Sequence, residues 1–101
     1  MSDDKIAELC LVLKPLRKES DRLHEQYTNR LDIDQPLRKQ AAIALDEFKK
    51  SPTLVKRQNY RRAKVTLYLS LRKTRDVDHQ RWVAMAETRA VSDQIKALRV
   101  A

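Results

Sequence analysis

The chain has no glycine anywhere in its 101 residues. Two-residue hairpin turns favour glycine or asparagine at positive φ, so a sheet-rich fold is disfavoured. The P-loop and the dinucleotide fingerprint need glycine to let the backbone approach a phosphate, so both motifs are excluded. Cysteine is nearly absent too. Cys10 stands alone, so no disulfide forms within the chain, and its place in the run Leu9–Leu13 predicts a buried structural thiol. With two histidines far apart, His24 and His79, there is no zinc-ligand spacing. No apolar run approaches the roughly 18 residues of a membrane span. The acidic start Ser2-Asp3-Asp4 is unlike a signal peptide. These absences predict a soluble intracellular protein, cytoplasmic or nuclear, with no membrane partner and no cofactor.

Acid is missing from one stretch. Between Ser51 and Arg75 there are eight bases, Lys56, Arg57, Arg61, Arg62, Lys64, Arg72, Lys73 and Arg75, and no Asp or Glu. The residues before the stretch carry ten bases and ten acids, and those after it four and four. The whole net charge of +8 therefore sits in this block, which points to an anionic partner.

What is abundant is regular apolar spacing. Ile6, Leu9, Leu13, Leu16, Ser20, Leu23 and Tyr27 alternate steps of three and four, a heptad seam suited to helix–helix packing or a coiled coil. Pro15 interrupts it and predicts a kink, or else a helix ending near Leu13. Leu31 to Gln35 reads as a connection, with Asp34 as N-cap and Pro36 in the first turn of a second helix. Leu37, Ala41, Ala44, Leu45 and Phe48 form the buried stripe of that helix. Ser51 as N-cap and Pro52 at the first helical position open the basic helix. On it Arg57, Arg61, Lys64, Tyr68, Arg72 and Arg75 fall close to one line at 100° per residue, forming a basic ridge. Leu67 and Leu71 flank the ridge on one side and Val65 and Leu69 on the other, so the helix is expected to be buried on two sides. The alternation from Val65 to Leu71 also fits a strand, which the lack of turn glycines and of a partner strand makes the weaker reading. A second three–four pattern runs through Tyr60, Ala63, Leu67, Ser70, Thr74, Val77, Arg81, Ala84, Thr88, Val91, Ile95 and Leu98. It is weakest at Ser70, Thr74 and Arg81, where a break would fall, so either Arg75 to Asp78 is a turn with Asp76 or Asp78 capping a last helix, or one helix runs through.

The expected fold is all-α: one domain, residues 1–101, a small helical bundle or helical hairpin with heptad seams, completed by dimerisation. Its helices are placed at about 3–31, 36–50, 52–75 and 78–99.

Catalytic chemistry is not expected. No serine or cysteine nucleophile stands near a base, and His79, beside Asp76, Asp78 and Trp82, reads as an exposed histidine next to a helix cap. The run Gln58-Asn59-Tyr60-Arg61-Arg62-Ala63-Lys64 resembles the homeodomain recognition helix, Gln-Asn-Arg-Arg-Ala-Lys. The inserted Tyr60 turns everything after it by 100°, which separates base-reading from phosphate-contacting positions, and the resemblance over seven residues is treated as coincidence. A looser helix-turn-helix, with its turn at Ser51 to Thr53, is a minor version of the same idea.

The leading expectation is a non-enzymatic, homodimeric nucleic-acid-binding module. Its eight bases Lys56 to Arg75 would contact the backbone of duplex RNA or DNA, by shape rather than sequence. Tyr60 and Tyr68, the only aromatics in the block, are too few for a single-strand stacking platform. The alternative is a coiled-coil adaptor whose basic patch meets an acidic protein partner.

Overall fold

The computed structural model describes residues 2–101. They form two α-helices, α1 (Ser2–Lys50) and α2 (Leu54–Val100), packed as an all-α helical hairpin. Residues 65–71 are helical, which disposes of the strand alternative.

Two expected breaks are not there. α1 runs unbroken through residues 31–36, and α2 through residues 75–78. Four helices are in fact two, because the seam keeps its heptad phase across both places. After Tyr27 the inward positions of α1 are Arg30, Asp34, Leu37, Ala41, Ala44 and Phe48, all buried or half-buried. Steps of three and four never falter. α1 likewise continues through Pro15 and Pro36. Each proline removes a backbone hydrogen bond, and both are exposed, as are Leu11 and Asp32 four residues earlier. Water can take up the freed carbonyls on that side, while the seam opposite stays intact.

The connection is short. The Ser51 amide donates to the Glu47 carbonyl at 3.0 Å and closes the last turn of α1. Pro52 has no N–H and disfavours helical geometry at Ser51, so α1 stops. Thr53, not Ser51, caps α2. Its Oγ1 accepts the Lys56 amide at 3.2 Å, and its carbonyl accepts the Arg57 amide at 3.0 Å. No described residue has positive φ, so the chain reverses without the left-handed residue that glycine usually supplies. Thr53→Ala is expected to cost about 1 kcal/mol, read as a lower urea midpoint at unchanged slope.

Two compact units divide the chain. One is Tyr27–Asp76, which includes the connection. Its buried residues are Asp34, Ala41, Ser70 and Thr74, of which only Ala41 is apolar. The other combines residues 2–26 with Val77–Ala101, and there Leu13, Leu23, Val77, Ala84 and Ile95 are buried. Cys10 is exposed, not buried. It follows Leu9 by one residue, about 100° around the helix from the seam.

Candidate nucleic-acid interface

Charge separates by unit. Residues 27–76 carry thirteen bases against five acids, which is the full +8 of the chain. The other unit carries nine of each. Arg38, Lys39 and Lys49 of α1 add exposed positive charge to the basic unit, a contribution hidden in the sequence by the acids interspersed among them.

Within this unit α2 positions the eight bases singled out in sequence. Arg57, Arg61, Arg62, Lys64, Arg72, Lys73 and Arg75 are exposed. Lys56 is half-buried, because it falls on the seam. None of the eight forms an ion pair among the described residues. The Lys64 ammonium lies 5.2 Å from the Tyr60 ring centroid, a local contact that leaves its charge uncompensated.

The bases form two rows. Arg57, Arg61, Lys64, Arg72 and Arg75 make the first, and Arg62 and Lys73 lie about 130° further round the helix. Between the rows sit Val65 and Leu69, 58% and 51% exposed, and Tyr68 on the first row is 63% exposed. The expected burial of this helix on two sides is therefore met only at the seam. Tyr68, Leu71, Arg72 and Arg75 line a shallow groove.

A cluster that sequence reasoning missed holds this helix in place. Asp34, read as an N-cap in a loop, is 2% exposed in the middle of α1. Its Oδ1 accepts the Ser70 hydroxyl at 2.5 Å and its Oδ2 accepts the Thr74 hydroxyl at 2.5 Å. Arg30, one turn earlier, donates from Nε to Thr74 Oγ1 at 3.3 Å. Its Nη2 donates to the Ser70 carbonyl at 2.8 Å and to Ser70 Oγ, and lies 3.5 Å from Asp34 Oδ1. No buried side-chain nitrogen or oxygen among the described residues lacks a hydrogen-bond partner. Burial opposes the Asp34 charge, but the hydroxyls of Ser70 and Thr74 and the nearby Arg30 and Arg38 outweigh it and hold the carboxyl below its ordinary value of 3.8. The weak middle of the second seam is thus a polar layer rather than a break. One signal was available: Arg30 and Asp34 stand in heptad phase with Tyr27 and Leu37, opposite the two hydroxyl positions.

The helix-turn-helix reading does not survive this geometry. Asp34 meets Ser70 far from the connection, so the two helices run alongside each other instead of crossing after a turn. His79 lies inside α2 rather than beside a cap, and its neighbour Asp78 pairs with Arg81 at 2.8 Å. Among the described residues no group of three or more His, Cys, Asp or Glu side chains is placed to hold a metal ion. Among the described residues no helix is long and apolar enough to cross a membrane. Comparison with protein-family models, with curated proteins and with solved structures finds no match to this chain.

Proposed function

We propose that the outer face of α2 between Lys56 and Arg75 binds the phosphate backbone of duplex nucleic acid, DNA or RNA, without catalysis and by shape and charge more than by sequence. One observation carries this reading. The chain concentrates its whole net charge in residues 27–76, and the eight α2 bases have no acidic neighbour in an ion pair. Bases on such a surface can neutralise backbone phosphates, and release of the cations condensed on the nucleic acid supplies the driving force. Two rows of bases suit the two strands of a duplex better than the single backbone of an unpaired strand. The pair Tyr60 and Tyr68 offers little for stacking, and Tyr60 is half-buried.

The test is fluorescence anisotropy of labelled duplex DNA, duplex RNA and single strands, titrated with the protein from low to physiological salt. Duplex binding that weakens steeply with salt is the expected result. No binding of any strand at low salt would sink the proposal.

A second reading has one specific observation in its favour. Val65, Tyr68 and Leu69 are exposed between and beside the bases, and an acidic amphipathic protein segment would cover both kinds of residue at once. In that case nucleic acid would bind weakly if at all, and alanine at Val65 and Leu69 would abolish capture of the protein partner.

A further inference from the structure

In the neutral unit, a second stripe on α2 has nothing covering it. Trp82, Ala86, Arg89, Asp93, Ala97 and Val100 are all exposed, with steps of four, three, four, four and three. At 100° per residue they share one narrow face, opposite the inward residues Ala84, Ile95 and Leu98. Trp82 is 58% exposed and Val100 88%. They are the large apolar residues of the stripe, one at each end. Arg89 and Asp93, in the middle, form no ion pair among the described residues, with each other or with anything else.

We propose that this stripe joins two copies of the chain through an isologous antiparallel contact. A two-fold axis at the level of Val91 sets Trp82 against Val100 of the second copy, Met85 against Ala97, and Arg89 against Asp93. Symmetry then repeats each contact, as an isologous interface requires. The pattern is self-complementary in charge as well as in apolarity. Each Arg89 meets an opposite charge, and each apolar end meets the other apolar end. Ala86, Ala90 and Ala97 lack bulk and let the two helices approach closely. The unit itself carries nine bases and nine acids, so two copies meet here without net repulsion. The basic face of residues 27–76 is the opposite case, since a second copy there would bring like charges together. The inference is independent of the nucleic-acid reading, although a dimer would present two basic faces.

Charge reversal tests it. Arg89→Asp gives a stripe with two acids, and Asp93→Arg a stripe with two bases. Both positions are exposed, so each variant should fold, which circular dichroism checks. Each alone is expected to weaken self-association at least about tenfold by sedimentation velocity, because every central contact becomes a like-charge pair. An equimolar mixture of the two is expected to form a heterodimer, and the double swap R89D/D93R to recover self-association. Trp82 is the only tryptophan, so its emission should shift to the blue as the wild-type protein is concentrated. A wild type that stays monomeric at millimolar concentration overturns the inference. So does a dimer that the single reversals leave unchanged, or a mixture that fails to associate.

Discussion

Asp34→Ala is expected to destabilise the hairpin by about 2–4 kcal/mol, a large share of the stability of a domain this size. The substitution leaves the Ser70 hydroxyl without its acceptor, leaves the Thr74 hydroxyl only the Ser70 carbonyl at 3.1 Å, and removes the carboxylate beside Arg30. A buried charge stripped of its partner costs more than the intact pair contributes. The loss stays below the upper range for such substitutions because the Arg30 side chain is 17% exposed and keeps the Ser70 carbonyl. Thermal or urea unfolding followed by circular dichroism gives the number. A loss below about 0.5 kcal/mol would mean that the layer is solvated in solution.

Acid should act in the same direction. The Asp34 carboxyl is held below 3.8 in the folded chain, so folding favours its charged form. This contribution is fully present above the unfolded value near 3.9 and is lost as pH falls through the lower folded value. At neutral pH nothing changes. Asp34→Asn should therefore flatten the acid limb of the stability curve relative to wild type, and an unchanged limb would assign acid sensitivity elsewhere. Replacing all four members with apolar residues, as in Arg30→Leu, Asp34→Leu, Ser70→Ala and Thr74→Val together, removes the desolvation cost along with the bonds. That variant is expected to be about as stable as wild type, or more so.

The triple variant R61A/R62A/K64A is expected to bind duplex about 100-fold more weakly than wild type at low salt, with its salt dependence flattened. All three side chains are exposed, so the fold should be indifferent to their loss. Each lost phosphate contact lowers the slope of log affinity against log salt by about 0.9, so three lost contacts lower it by nearly 3. The magnitude separates contact from long-range attraction. Lys14→Ala with Lys18→Ala removes two exposed charges from the neutral unit and should leave the slope unchanged. If both variants flatten it equally, charge in bulk and not this face carries the binding.

Much of the fold was legible because helix packing has a period. Steps of three and four from Ile6 to Tyr27 and from Tyr60 to Leu98 mark residues that now face inward. The missing glycines pointed the same way, since a two-helix hairpin needs only one reversal and Ser51-Pro52-Thr53 makes it without positive φ. The errors share a cause. Asp34 and Pro36 look like the start of a helix, and Asp76 and Asp78 like a cap, when each is judged with its sequence neighbours alone. Local propensity is worth tenths of a kcal/mol to about 3 for proline, and a continuous seam outweighs it.

The class of the fold, the phase of both seams and the location of the excess charge can all be read from residue order. Each depends on spacing or counting along one chain. Tertiary structure alone decided that Asp34 would be buried and charged, because its hydroxyl partners are 36 and 40 residues away. It also decided which apolar residues stay uncovered. Val65, Leu69 and Trp82 have the side chains of core residues, and only the side on which α1 lies turns them toward solvent. A helix chooses which residues share a face through its own geometry, but whether that face is buried depends on what packs against it.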